Sequence, residues 1–318
     1  MSKKWIFPAL FFILWFSVST IYAYEVLNGP SQLIQYKASK AYEGYTLMTP
    51  MNSNKVYLID MLGYVVHTWD LKTRTAGLHY VLLENGHLLG NTGADAGRGA
   101  QVGLDTGGGQ ATPADGNREG KPPAGGDNKG SSQGKAGNTA LGGSVRGLIE
   151  LDWDGNVVWE FEPDSSQGSL HHDFERLPNG NTLSNAWETL SYEEAIAAGR
   201  RAEQTTERGV VSDVIYEIDP KGNIVWKWRA WEHRGMNSKN HLDVNYITYV
   251  LPEHSQNNPD WTHFNAVDYD AATDRILVDS REFGELYIID HKTGDILYRW
   301  GNPSAYGAGD PPTLSTPG

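Results

Sequence analysis

Two short segments carry the side chains best suited to chemistry. In Leu170-His171-His172-Asp173-Phe174 two imidazoles stand side by side next to a carboxylate. In Trp261-Thr262-His263-Phe264-Asn265 a third imidazole stands two residues before a carboxamide, and Arg281 follows His263 by eighteen residues. On extended backbone successive side chains point to opposite faces, so at most one of His171 and His172 turns readily toward a shared site, whereas His263 and Asn265 share a face. A hairpin that returns Arg281 to His263 would gather an imidazole, a carboxamide and a guanidinium. Several N–H donors and one fixed positive charge then converge, which suits a tetrahedral oxyanion. The plainer alternatives are histidines hydrogen-bonded in a turn and Arg281 paired with neighbouring Glu282. No third ligand stands at metal-site spacing from the histidine pair, so no metal is expected. The sequence has no cysteine, which excludes disulfides, thiolate nucleophiles and thiolate metal sites.

The elements that must position these groups repeat along the chain. VYLIDMLGYVVHTWD from Val56, GLIELDWDGNVVWEF from Gly147, VIYEIDPKGNIVWKW from Val214 and LYIIDHKTGDILYRW from Leu286 share one plan. A short apolar strand ends at Asp60, Asp152, Asp219 or Asp290, a turn follows around Gly63, Gly155, Gly222 or Gly294, and a second strand closes on Trp69, Trp159, Trp226 or Trp300. The recurring aspartates are explained by hydrogen bonds to turn backbone rather than by acid–base work. A second phrase, HHDFERLPNGNTLSNA and the looser HFNAVDYDAATDRILVDSR, again places two strands around a polar turn. Hairpin plus hairpin makes a four-stranded unit, so the expected fold is all-β, a β-propeller of four-stranded antiparallel blades. A solenoid of parallel strands is the rival, disfavoured by the Asp-x-x-Gly hairpin turns. The one helix-like stretch, SYEEAIAAGRRAEQ, opens on a capping Ser191 with Glu194 at the capping-box position. His67, His79, His87, His233, His241, His254 and His291 are taken as structural or surface residues.

The ends and the middle of the chain follow different rules. Residues 1–23 put Lys3 and Lys4 before an apolar run from Trp5 to Tyr22 and a small Ala23, the pattern of a signal peptide. The run also approaches the length of a membrane span, so residues 5–22 serve either as a cleaved leader or as an N-terminal membrane anchor. Both readings place residues 24–318, the propeller, in the periplasm or otherwise outside the cytoplasm. Net charge is −13, and loss of Lys3 and Lys4 would make it more negative. Without Lys/Arg clusters no nucleic-acid partner is expected. Residues 91–146 are Gly, Ala, Asp, Asn and Lys with few apolar side chains, an insert expected to be disordered because burial cannot offset its ordering entropy.

The phrases DWTHFNAVDYD, DRILVDSREFGELYIIDHKTGDILYRWGNP and LHHDFERLPNGNTL resemble the bacterial arylsulfotransferase family of periplasmic six-bladed propellers, from about Tyr45 to Pro312 with the insert excepted. The resemblance implies transfer of a sulfuryl group from an aryl sulfate to a phenol, with no phosphoadenosine phosphosulfate or other cofactor, by a ping-pong route through a sulfurylated histidine. It implies that His263, Asn265 and Arg281 hold the sulfuryl oxygens and that one of His171 and His172 is a further active-site histidine. It places the family nucleophile one blade further on, in a Gln-His-Asp-like motif that has no counterpart before Gly318. The chain is therefore expected to be incomplete relative to six blades, as a truncated member, one completed by another chain, or a non-catalytic propeller that binds an anionic ligand or a protein. Its oligomeric state is left open. Pyrroloquinoline-quinone propellers also carry tryptophan-closed blades, but their calcium-ligand spacing is absent.

Overall fold

The computed structural model describes residues 33–50, 53–93, 142–235, 241–246 and 259–306. The leader, residues 94–141 of the insert, His254 and the residues after 306 lie outside them. Strands β1 (Thr46–Met48), β2 (Lys55–Ile59) and β3 (Val65–Asp70) form a three-stranded sheet. Strands β4 (Ala76–Leu82), β5 (Leu88–Thr92), β6 (Gly147–Leu151) and β7 (Val157–Phe161) form the second sheet. The third comprises β8 (Ser169–Arg176), β9 (Thr182–Leu190), β10 (Val210–Ile218) and β11 (Ile224–Arg229). Two short strands, β12 (Arg234–Gly235) and β13 (Leu242–Asp243), pair in parallel, and β14 (Val267–Asp270), β15 (Arg275–Ser280), β16 (Glu285–Asp290) and β17 (Ile296–Gly301) complete the last sheet. In each four-stranded sheet sequence neighbours pair antiparallel, so the chain meanders from one edge to the other.

The repeated phrase explains the hairpins. Asp219 Oδ1 accepts from the Lys221 and Asn223 amides, both at 2.8 Å, and Asp152 Oδ1 accepts from the Asn156 amide at 2.8 Å. Gly155 and Gly222 follow with φ of 81° and 82°, a conformation that costs glycine little. Each tryptophan-type hairpin supplies the last two strands of its sheet, and the sheet opens with the phrase that precedes it. HHDFERLPNGNTLSNA (β8 and β9) thus pairs with VIYEIDPKGNIVWKW (β10 and β11).

The sheets lie face against face with apolar side chains between them. Val56, Leu58 and Trp69 meet Leu88, Ile149 and Leu151. Leu89, Leu148 and Phe161 meet Phe174, Ala186, Val214 and Ile218, and Leu183, Ile215 and Trp228 meet Phe264, Ile276, Val278, Tyr287 and Ile289. The closing aromatics reach across: Trp69 Nε1 donates to Asp152 O at 3.1 Å and Trp228 Nε1 to Gly294 O at 2.8 Å, each bonding to a turn of the following sheet. Three expected anchors are corrected. In the second and third sheets the buried closing side chains are Phe161 and Trp228, two residues beyond half-buried Trp159 and Trp226 on the same face of β7 and β11. In the last sheet Trp300 is 62% exposed, since no following sheet lies on it among the described residues.

Other expectations shift at their edges. Asn91 and Thr92 finish β5, and Val145 donates to Leu170 O at 3.0 Å, so these insert residues belong to the sheets. The helix α1 spans Tyr192–Ala197 with its Ser191/Glu194 capping box intact, and stops before Gly199 at φ 95°. No helix among the described residues is long and apolar enough to cross a membrane.

Candidate functional site

The site lies where the third sheet meets the last. Asp213, on β10 opposite Trp187 of β9, has no solvent exposure and fastens two segments at once. Its Oδ2 accepts from the Thr262 hydroxyl, its Oδ1 accepts from the Phe264 amide at 3.0 Å, and its own amide donates to Thr262 Oγ1 at 3.1 Å. On the other side His171 Nε2 approaches Asp213 Oδ1 to 2.9 Å, in a contact bent from the ring's N–H axis. These bonds hold the carboxyl below the usual carboxylate range although burial alone would raise it.

Because Asp213 takes the Phe264 amide, the residues around it cannot join a ladder. His263 adopts φ 51° in a loop ahead of β14, and the expected strand shared by His263 and Asn265 is not formed. His172 also lies in the left-handed region, φ 50°, where the register of β8 against β9 slips between Leu170 and Phe174. Such a conformation costs on the order of 1–3 kcal/mol in a residue with a side chain and persists only where its surroundings impose it. At His172 the surroundings include Gly143, whose carbonyl accepts the His172 amide at 3.0 Å and whose missing side chain leaves room for the ring. A Cβ there would stand 1.9 Å from His172 Cε1.

Of the paired histidines, His171 is fully buried, stacked on Trp187 with ring centroids 3.9 Å apart, and His172 is the half-buried one. The His172 and His263 rings meet edge to face at 5.1 Å. Their electrostatics diverge. Burial, reinforced by the charges of His171, His263 and Arg281, pushes His172 down to about 3, so it is neutral at ordinary pH. Burial opposes charge on His263 too, but the Asp260 carboxylate hydrogen-bonded to its Nδ1 and the charge of Asp213 outweigh it and raise its pKa.

Arg281 follows β15, and its amide donates to His263 O at 3.0 Å, so the two segments meet through their backbones. Its Nη1 donates to Glu282 Oε1 at 2.9 Å while the side chain stays 44% exposed. Asn265 is nearby but engaged: its amide and Nδ2 donate to the two oxygens of Asp279 at 2.8 and 3.0 Å. Asp213, Asp260, Gly143 and Trp187 were not foreseen. Asp260 precedes His263 by three residues, a signal that was available; Asp213 sits in an apolar strand and carries no local mark. Among the described residues no group of three or more His, Asp or Glu is arranged to hold a metal ion.

Comparison with solved structures gives distant likenesses. A protein of unknown function from Bacteroides caccae is 11% identical over 80% of this chain with a TM-score of 0.38. Hydrazine synthase from Kuenenia stuttgartiensis is 12% identical over 78% with a TM-score of 0.36, and a streptogramin B lyase 10% over 85% with a TM-score of 0.33. This chain spans 56%, 49% and 66% of their respective lengths. No curated protein sequence matches it. Residues 123–311, more than half of the chain and the part that holds both site segments, match the sequence pattern Arylsulfotransferase (ASST), and the chain belongs to the arylsulfotransferase family.

Proposed function

We propose that the protein moves a sulfuryl group from an aryl sulfate to a phenolic acceptor by way of a histidine. The observation that carries this is the pairing of a neutral imidazole, His172, with one whose pKa is raised by Asp260 and Asp213, His263, 5.1 Å away beside the Arg281 backbone. Sulfuryl transfer resembles phosphoryl transfer in spreading charge over three equatorial oxygens, so fixed cationic donors supply much of the catalysis. His263 and Arg281 are those donors. Asn265 has a second Nδ2 hydrogen, beyond the one on Asp279, for a sulfuryl oxygen.

Among the described residues His172 is the imidazole suited to accept the group. Its nitrogen lone pair forms a bond to sulfur as the sulfur–aryl oxygen bond breaks, and the phenolate leaves with that electron pair. The acceptor phenol then reverses the step: its oxygen bonds to sulfur as the nitrogen–sulfur bond breaks and its electron pair returns to His172, and the phenolic proton passes to water. Family membership supports the substrate class, and the stacked four-stranded sheets support a propeller whose sheets converge on the site. The leader-like Trp5–Tyr22 supports a place outside the cytoplasm.

The test is release of nitrophenolate from 4-nitrophenyl sulfate by the purified chain, with phenol as acceptor. Expected are phenol-dependent release, parallel double-reciprocal lines and loss of release in His172→Gln. Saturable binding of the aryl sulfate without any transfer would instead make the site an anion receptor.

A further inference from the structure

The third sheet grips the last one at a second point, toward the end of β10. Glu217 follows Asp213 by four residues on the same strand face, and both of its carboxylate oxygens are engaged. Its Oε1 accepts from Asn181 Nδ2 at 2.5 Å and Asn179 Nδ2 at 3.3 Å, within its own sheet, and its Oε2 faces His291 Nε2 of the last sheet at 2.9 Å. The other ring nitrogen, His291 Nδ1, faces Asp274 Oδ1 at 2.8 Å, in the turn between β14 and β15. A carboxylate only accepts, so both bonds are made together by a ring that carries two protons. The side chains of His291 and Glu217 are 15% and 7% exposed, which shields their contact from water and salt. The second and third sheets are joined on the same plan. Glu150 stands two residues before Asp152, as Glu217 stands two before Asp219. It takes His87 from its own sheet at 2.7 Å and Arg176 from the next. Arg176 lies over Trp159, and the His291 ring meets the equivalent Trp226 edge-on at 4.7 Å. One junction thus closes on a guanidinium, which proteins do not deprotonate, and the other on an imidazole.

We infer that His291 is a pH-sensitive bolt between the third and last sheets, closed when the doubly protonated ring bridges Glu217 and Asp274 and loosened when that ring gives up a proton. Glu217 faces the ring from β10, Asp274 from the β14–β15 turn, Trp226 from β11, and Tyr269 from β14 edge-on at 5.7 Å. Tyr269, pushed up to about 12 by burial and by Asp274, stays neutral, and its hydroxyl donates to Asp274 Oδ1 at 2.8 Å. That bond first, then His291, with the charge of Lys292 adding to them, holds the Asp274 carboxyl below the usual aspartate range. The acid limit of the bolt therefore lies well below the range in which an imidazole titrates. Stability from the bridge is present in full below the unfolded histidine value of about 6.5 and is lost as pH rises and the ring loses its second proton. Asp213 and Glu217 hold the last sheet from one strand, so release of the second grip loosens the sheet beside which His263 and Arg281 are carried.

The bolt belongs to the resting chain and stands or falls independently of sulfuryl transfer. Chemical denaturation of the full chain at about pH 5.5 and about pH 8, either side of the ordinary histidine value, reads it against His291→Gln, which cannot be charged. Between the two pH values the folded-to-unfolded ratio of the parent should fall on the order of tenfold more than that of the variant, the size of one charge-assisted hydrogen bond. An equal fall in parent and variant overturns the inference. If the variant does not fold, proton–nitrogen NMR of the histidine-labelled parent decides. Both ring N–H protons of His291 should be visible and slow to exchange with water at the lower pH, and one of them should be gone at the higher. Rapid exchange of either ring proton at the lower pH also overturns the inference.

Discussion

His172 and His263 face each other with φ of 50° and 51°, and their surroundings drive their pKa values in opposite directions. Transfer needs the first neutral and the second charged, so the rate should hold from mildly acidic pH up to the raised pKa of His263 and fall beyond it. Asp260→Asn removes the partner that raises His263, and the alkaline limb of kcat/KM should move down toward the ordinary histidine value of 6.5. A limb that does not move would separate His263 from catalysis. The same linkage acts on stability: the Asp260 contact contributes fully below the unfolded histidine pKa and is lost as pH rises through the folded one. Truncating either cation, Arg281→Ala or His263→Ala, should lower kcat by on the order of 10²–10³-fold, the usual cost of removing one donor from a developing oxyanion. That the segments of His172, His263 and Arg281 adjoin was legible, because their types and spacing singled them out together. Asp213 was not, since nothing local distinguishes a buried aspartate in Val210-Val211-Ser212-Asp213-Val214 from an outward-facing one.

The loops that carry the site are shaped by contacts from elsewhere in the chain. Gly143 combines φ 98° with a ring where its Cβ would stand. Gly143→Ala should therefore displace His172 and abolish transfer while the far-ultraviolet circular dichroism of the sheets is retained. Gly209→Ala tests the scaffold: its Cβ would meet Leu190 O at 1.8 Å with φ at 80°, and chemical denaturation should show a loss of roughly 2 kcal/mol or more. At this scale the hairpins were legible from Asp, Gly and Trp at fixed offsets, because those residues bond and turn locally. The loop at His263 was not, because the alternation in Thr262-His263-Phe264-Asn265 looks like a strand until a distant carboxylate captures the Phe264 amide. The helix after Ser191 was overextended for a similar reason: Arg200 turns inward to Val244 O at 2.6 Å instead of continuing the helix.

Across the molecule, stability depends on one sheet covering the next. Trp228→Ala, which empties the junction between the third and last sheets and removes the bond to Gly294, should cost about 3–5 kcal/mol in chemical denaturation. On the last sheet Tyr298 and Trp300 occupy the positions that Trp226 and Trp228 hold one sheet earlier, but are exposed. Such a face invites association, and sedimentation should show concentration-dependent complexes that Trp300→Lys reduces. The architecture was legible because the repeats are regular; the uncovered face was not, because Trp300 matches its buried counterparts in sequence and differs only in what lies upon it. That difference makes Trp300 a built-in optical reporter. An indole in water emits toward the red, so excitation of tryptophan should yield a red-shifted component that iodide quenches. Whatever comes to cover the last sheet would shift that component to the blue and shield it from the quencher.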